Sequence, residues 1–519
     1  MKTKDLDKII ILDFGSQTTQ LIARRIRNAG IFVKILPSSV SIKKIKSTNP
    51  KGIILSGGPE SLSDPKAPRA PEFIFELGIP ILGICYGLQL ITEYFKGKVV
   101  KGKNRKEYGK AELIKIKDHT LTQGFFKKTK KNVWMSHGDE VAKAPKDFTV
   151  LAKTEHSPLA VLANDKKKIY AVQFHPEVSH TQNGKKILLN FAEKICKAKK
   201  KWEPQMIIEN LIKETRQIAK NKKVIHAISG GVDSTVMAEI LRLAVGDKLK
   251  CVLIDTGLMR KNEVRNIKKR FKKHLKTKVT VINASENFLR ILKDVESGEK
   301  RRKLIGKEYI KIFKKMIGKN DFLSQGTLYP DVIESSTVDS CQHSHTIKTH
   351  HNRAKEVVEL MNQGRVIEIF KDLFKDEVRK IGQSLGLPKE IVQRQPFPGP
   401  GLAIRILGKI TPEKLEILRQ ADAITIEELK KAGLYYKISQ AIVALDSHKV
   451  TCVKGDAKDK GYLIFIRNII TKDFMTATPY DLSFDLKQKI SSRILNEVKK
   501  TGRVLFDESN KPPATICYL

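Results

Sequence analysis

The sequence predicts an α/β protein of two parallel-sheet domains followed by a smaller α+β domain. Three observations carry that prediction. Short β-branched runs alternate with amphipathic helical stretches (KIIILDF, QLIARRIRNAG, FVKILP, GIILSGG), the rhythm of βαβ units whose parallel strands lie beneath helices. The rhythm breaks at CKAKKKWEPQ (196–205), where a lysine run meets a proline, and restarts at KKVIHAIS (222–229). It breaks again at RQPFPGPG (394–401), whose prolines and glycines exclude a helix or a central strand. Beyond that point helical TPEKLEILRQADAITIEELKKAG is followed by strand-like YLIFIRNII. The expected units are 1–199, 200–394 and 395–519.

At 519 residues and 40% hydrophobic, the chain has enough apolar material for several packed cores, which excludes wholesale disorder. Lys+Arg total 98 against 56 Asp+Glu, a net charge of +42. The excess is mostly lysine and is spread over all three expected units. Nucleic-acid readers favour the planar fork of arginine, so diffuse lysine reads as a solvated surface rather than a nucleic-acid footprint. The six cysteines (85, 196, 251, 341, 452 and 517) include no CxxC pair and read as reduced thiols. The start, MKTKDLDKIIILDFG, carries no cleavable apolar region, and no run approaches the ~18–20 residues of a membrane span. A cytoplasmic protein with neither membrane nor nucleic-acid partner is expected.

Residues 80–95, PILGICYGLQLITEYF, place Cys85 where an apolar strand meets a helix with apolar positions Leu88, Ile91 and Phe95. A cysteine on that elbow is exposed to substrate, and the free N–H groups of the helix start stabilise its thiolate. Gly83 and Gly87 flank it. The strand KIYAVQF ends in His175-Pro176-Glu177, a base beside a carboxylate able to orient it. Gly58, in the SGGP loop (56–59), and the N–H of Tyr86 are the expected oxyanion donors. Together G-I-C-Y-G-L-Q and F-H-P-E resemble the triad-type (class I) glutamine amidotransferases over about residues 7–197. That resemblance implies glutamine hydrolysis through a thioester on Cys85. WMSHGDE (134–140) resembles a family segment lining the glutamine pocket, with His137 either part of that pocket or a structural loop histidine.

Residues 224–240, VIHAISGGVDSTVMAEI, read as strand, loop and helix. In the loop, Ser229, Gly230, Gly231, Val232, Asp233 and Ser234 offer backbone N–H groups and hydroxyls to a phosphate at a helix N-terminus. Asp233 suits a Mg²⁺ bridging the phosphates of ATP. The GxxxxGK[ST] pattern is absent, so this is not a Walker loop. The segment resembles the SGGxDS loop of ATP pyrophosphatases, which adenylate a substrate and release pyrophosphate. CVLIDTG (251–257) resembles that family's adenosine-reading strand, and LFKDEVR (373–379) a segment shared by its amide-forming members.

FLSQGTLYPDVIES (322–335), IKTHHN (347–352), RQPFPGPGLAIRI (394–406), KLIGKEYI (303–310) and KPPATI (511–516) extend the likeness to nearly the whole chain. They resemble the glutamine-hydrolysing GMP synthetase family. The resemblance implies that ATP adenylates XMP and that ammonia from glutamine displaces AMP to give GMP. It implies an adenine-nucleotide-hydrolase-like fold for the middle domain and a C-terminal dimerisation domain, hence a homodimer. Asp331, Glu334, Lys348, His350 and His351 match a lid over the chemistry. Arg302, Arg394, Pro398, Gly399, Lys511 and Ile516 match positions near XMP. Three features depart from the family pattern: Asn352 is followed by RAKEVVELMNQG rather than VGGLP, residues 255–257 are Asp-Thr-Gly rather than Asp-Asn-Gly, and the chain ends Ile516-Cys517-Tyr518-Leu519 rather than Ile-Glu-Trp-Glu. Cys341, His343, His345, His350 and His351 have a rival reading as a metal site, though no tetrahedral ligand spacing is present. Other acceptors for the ammonia, deamido-NAD among them, and a tRNA-modifying activity are the competing functions.

Overall fold

The computed structural model describes residues 6–101, 107–329, 331, 355–454, 456–471, 474 and 476–519. The chain forms two compact units, Met1–Asn210 and Leu211–Leu519.

The first unit contains eleven strands among its described residues: β1 (Lys8–Asp13), β2 (Phe32–Pro37), β3 (Gly52–Leu55), β4 (Ile81–Ile84), β5 (Lys98–Lys101), β6 (Glu107–Lys115), β7 (Lys130–His137), β8 (Asp139–Lys143), β9 (Thr149–Lys153), β10 (Val161–Asn164) and β11 (Ile169–Val172). Nine form one sheet in the order β2-β1-β3-β4-β11-β10-β9-β6-β7, and β5 pairs with β8. From β2 to β11 all neighbours are parallel. Their sequences are continuous apolar runs because both faces are covered: β3, β4 and β11 are buried at every position. The rest of the sheet pairs antiparallel, which the βαβ rhythm did not predict. Turns rather than crossover helices link these strands, and β6 alternates exposed and covered residues.

The second unit begins with an all-parallel sheet of β12 (Val224–Ala227), β13 (Leu249–Asp255), β14 (Val279–Asn283), β15 (Phe322–Ser324) and β16 (Val366–Ile367), in the order β14-β13-β12-β15-β16. The strand order reverses at β12, and such a switch point opens a crevice at the carboxyl ends of the strands. The SGGVDS loop leaves β12 at that end.

The tail adds β17 (Ile406–Leu407), β18 (Gln440–Lys454), β19 (Ala457–Ile470), β20 (Thr478–Pro479) and β21 (Thr501–Phe506) as a mixed sheet, with helices Pro412–Lys431 and Phe484–Glu497. The helix expected from TPEKLEILRQ starts where Thr411 accepts a hydrogen bond from Lys414 N at 3.2 Å, with Pro412 in its first turn. One apolar cluster joins Val252 and Ile254 of the parallel sheet to Leu418 of that helix and Ile464 of β19. The three expected segments are therefore seen as two compact units, because the middle and C-terminal segments share a core. Among the described residues no helix is long and apolar enough to cross a membrane.

Candidate active site

In the first unit the apolar strand β4 runs straight into the helix Tyr86–Tyr94, and Cys85 is the hinge. Its backbone is held at φ 52°, ψ −101°, a strained conformation for a residue with a Cβ. Cys85 N donates to Val172 O at 2.8 Å, and Leu88 N closes the first helical bond onto Cys85 O at 3.0 Å. The N–H groups of Tyr86 and Gly87 precede that bond. Both flanking glycines are obligatory: a Cβ on Gly83 would strike the Gly87 carbonyl, and one on Gly87 the Leu55 carbonyl.

His175 lies just beyond β11, with Nδ1 2.7 Å from Oε1 of Glu177, whose side chain is fully buried. Burial opposes charge on His175 more than any other influence. The Glu177 carboxylate and hydrogen bonds with Cys85 and Glu177 nevertheless hold its pKa well above the ordinary imidazole range. The structure thus brings Cys85, His175 and Glu177 together. Gly57 and Gly58 close the site from the end of β3: a Cβ on Gly57 would lie 3.2 Å from the His175 ring, and one on Gly58 3.3 Å from the Tyr86 ring.

WMSHGDE contributes in two ways. Cys85 Sγ lies 3.6 Å from Ser136 O. His137 instead sits in a buried network, with Nδ1 3.0 Å from Asp139 O and Nε2 3.3 Å from Ser157 Oγ and 3.5 Å from Glu107. Of its two readings, the structural one fits these contacts. Sequence reasoning missed Gln173, whose Nε2 is 3.8 Å from Cys85 Sγ. It lies in the quoted strand, two residues before His175, and that spacing was the available signal.

In the second unit the loop after β12 closes on itself. Ser229 Oγ and Ser234 Oγ are 3.1 Å apart, Gly231 N donates to Ser229 Oγ at 3.3 Å, and Thr235 Oγ1 donates to Gly231 O at 2.8 Å. Gly230 has φ +75°, and a Cβ there would run into Ile267. Val232 begins the helix Val232–Val245. Arg394, expected near XMP, is buried and braces this loop: its Nη1 donates to Gly230 O at 2.9 Å and to Glu263 Oε1 at 2.7 Å. Burial works against the Glu263 charge, but Arg394, Arg270 and Arg260 hold its carboxyl below the usual range.

Asp233 faces Lys375 Nζ at 3.3 Å, a lysine of the LFKDEVR segment that was not singled out individually. Asp233 Oδ1 is buried and has no hydrogen-bond partner. Mg²⁺ stays largely hydrated and needs only one or two carboxylate oxygens beside the phosphates it bridges, so this oxygen fits it. Among the described residues, no group of three or more His, Cys, Asp or Glu side chains is arranged to hold a metal.

His226, on β12, ties the loop to the sheet. Its Nε2 donates to Ser234 O at 2.7 Å, so its Nδ1, 2.6 Å from Ser324 Oγ, is the acceptor in the neutral ring. Burial pushes its pKa down to about 4, against the bond to Ser234. Between the ordinary 6.5 and about 4 the unfolded chain takes up a proton that the folded chain refuses, so stability falls on acidification through that window. The expected result is that the parent loses more stability than His226→Phe between pH 6.5 and 4.5 in urea titrations. Equal losses would contradict it.

Three family models match the chain: glutamine amidotransferase class-I over residues 10–195, NAD synthase over 205–320, and GMP synthase C terminal domain over 427–518. Proteins named GMP synthase (glutamine-hydrolyzing) match almost end to end. Those of Aquifex aeolicus and Fusobacterium nucleatum are 48% identical over 511 and 512 residues, and that of Coxiella burnetii (strain CbuK_Q154) is 46% identical over 517, each match covering 98% of both chains. The chain belongs to the glutamine-hydrolysing GMP synthase family.

Within that family assignment, the remaining expected residues take these places. Pro398 and Gly399 form the turn that Gly401 N closes onto Pro398 O at 2.9 Å, and Leu402 N then donates to Leu258 O at 2.8 Å beside the end of β13. Arg302 Nη2 contacts Leu519 O at 2.5 Å. Lys511 bridges to Ala477 and its Nζ donates to Phe474 O at 2.6 Å, while Ile516 and Tyr518 pack against Ile442, Ile469 and Ala477. Cys517, where the family pattern has Glu, is surrounded by arginines. Burial pushes its thiol pKa up, against the pull of Arg405, Arg302 and Arg467. Arg405 and Arg467 are almost wholly buried, and Nε and Nη2 of each lack a hydrogen-bond partner. Each is ion-paired through Nη1, Arg405 with Asp422 at 2.9 Å and Arg467 with Asp507 at 2.8 Å, which leaves N–H groups that a further anion could meet. Asp331 Oδ2 accepts from Leu328 N at 2.9 Å. Glu334, Lys348, His350 and His351, with the rival metal cluster Cys341, His343 and His345, lie outside the described residues.

Proposed function

We propose that this chain makes GMP from XMP, drawing ammonia from glutamine at Cys85 and driving the amination with ATP at the SGGVDS loop. The observation that carries this reading is the presence in one chain of a strained Cys85 joined to a His175–Glu177 pair and of a phosphate loop with an orphaned carboxylate oxygen.

In the first half-reaction His175 holds the proton of Cys85. The thiolate attacks the glutamine amide carbon, N–H groups at Gly58 and Tyr86 meet the oxyanion, and His175 protonates the departing ammonia. Water then cleaves the thioester to glutamate. In the second, the loop from Ser229 to Ser234 and Lys375 hold the triphosphate while the C2 oxygen of XMP attacks the α-phosphorus and pyrophosphate leaves. Ammonia attacks C2 and AMP departs. Asp233 would hold Mg²⁺, which when bound offsets the charge of the phosphates. The arginines around Cys517, with Arg302, supply the positive seat an XMP phosphate needs, while Arg394 serves by fixing the loop. The division into 1–199, 200–394 and 395–519 follows these roles, and we read the enzyme as a cytoplasmic homodimer.

The test mixes the purified chain with Mg-ATP, XMP and either glutamine or an ammonium salt. The expected products are GMP, AMP and pyrophosphate with both nitrogen sources, and glutamate only with the first. Glutamate without GMP would show that XMP is not the acceptor.

A further inference from the structure

Thr18 occupies the N-cap position of the helix Thr19–Arg27 that follows β1, yet its side chain makes no capping bond. Threonine is a favoured N-cap, and its hydroxyl ordinarily satisfies one of the free N–H groups of the first turn, worth about 1 kcal/mol. Here the hydroxyl is turned away: Thr18 Oγ1 donates to Glu177 Oε1 at 2.6 Å, across 159 residues of sequence. The same carboxylate oxygen meets His175 Nδ1 at 2.7 Å, while Oε2 of Glu177 is buried and has no hydrogen-bond partner. Both bonds of this side chain therefore converge on one oxygen.

The donor assignments follow from the acceptor-only character of a carboxylate. The single proton of Thr18 is committed to Glu177, so Ser16 Oγ, 2.9 Å away, donates to Thr18 Oγ1, and Ser16 Oγ in turn accepts from Thr18 N at 3.2 Å. Arg25 Nε, on the same helix, fixes the Glu177 backbone through its carbonyl at 3.1 Å. A line of hydrogen bonds thus runs from Ser16 through Thr18 and Glu177 to His175.

We propose that Thr18 is a positioning residue of the glutamine site: it holds Glu177 Oε1 on His175 Nδ1 so that the other ring nitrogen stays aimed at Cys85. Without it the carboxylate is free to rotate toward its unpartnered oxygen, and the imidazole loses its orientation. The inference rests on reading Cys85 as the glutamine nucleophile.

The experiment compares Thr18→Val, close in shape but without the hydroxyl, with Thr18→Ser, which keeps it, in steady-state assays of the full-length enzyme. Thr18→Val is expected to lower glutamine-dependent kcat about tenfold, the scale of one hydrogen bond to a charged group. KM for glutamine should stay within about twofold, and the ammonia-driven rate, which reports folded enzyme, should match the parent. Thr18→Ser should keep kcat within about twofold of the parent. A Thr18→Val enzyme with parental kcat, one changed only in KM, or a serine variant as slow as the valine one would each overturn the proposal. A parent that uses ammonia but releases no glutamate from glutamine would instead refute the nucleophile assignment beneath it.

Discussion

Replacing Cys85 with alanine is expected to abolish glutamine-dependent GMP formation and to leave ammonia-dependent formation at the parental rate. The sulfur is the only atom that bonds covalently to the glutamine carbon in this account, so its loss removes the thioester route altogether. Nucleophile removals of this kind cost on the order of 10⁴–10⁶ in rate. Little structural cost should accompany the change. The elbow depends on Gly83 and Gly87 and on the bond from Cys85 N to Val172 O, and none of these involves the side chain. Relief of positive φ is not among the effects, because alanine inherits the same backbone conformation. Steady-state assays with each nitrogen source check the prediction. Loss of both activities together would contradict the separation of the two chemistries.

Asp233→Asn should behave in the opposite way, lowering synthesis from glutamine and from ammonia alike by about 100-fold or more, the scale seen when one charge-stabilising group is removed. Asp233 stands at the start of the helix Val232–Val245, where Oδ2 faces Lys375 at 3.3 Å and Oδ1 is left without a partner. An amide keeps the shape but loses the charge, and with it both the cation affinity and the counter-charge that places Lys375. Glutaminase chemistry at Cys85 uses none of these atoms. Rates with ammonium salts, read as AMP formation, decide the matter, and an ammonia-dependent rate within tenfold of the parent would contradict the assignment.

The two variants fail differently because the two chemistries were already separable in sequence. Cys85, His175-Pro176-Glu177 and Ser229–Ser234 lie in short motifs at strand ends, where β-branched runs and glycines mark the geometry locally. Gln173 and Lys375 lay inside segments already marked, but their partners Cys85 and Asp233 are far along the chain, and Thr18 lay outside any marked segment. Thr18 sits in a stretch that reads as an ordinary helix start, and only the fold brings it to Glu177. Arg394, expected near XMP from the family resemblance, also bonds Gly230 O and Glu263, partners that only the fold supplies. The parallel strands were visible as unbroken apolar runs. The antiparallel half of the first sheet was not, since half-wet strands such as β6 mix polar and apolar residues and carry no crossover helix to announce them. The polar atoms that lack partners at Asp233, Arg405 and Arg467 exist only in three dimensions and could not be read from the sequence.

The +42 charge also takes its place in this account. The proposed function asks only a few basic groups, Lys375 and Arg302 among them, to meet phosphates, and diffuse lysine elsewhere fits a solvated surface.

The most direct test of the central claim, that one chain joins glutamine hydrolysis to nucleotide amination, is to supply glutamine labelled with ¹⁵N in its side-chain amide together with Mg-ATP and XMP, and to weigh the purine product by mass spectrometry. GMP is expected to carry the label in its 2-amino group, with one AMP and one glutamate formed for each. Labelled ammonia accumulating beside unreacted XMP, or GMP formed without the label, would contradict it.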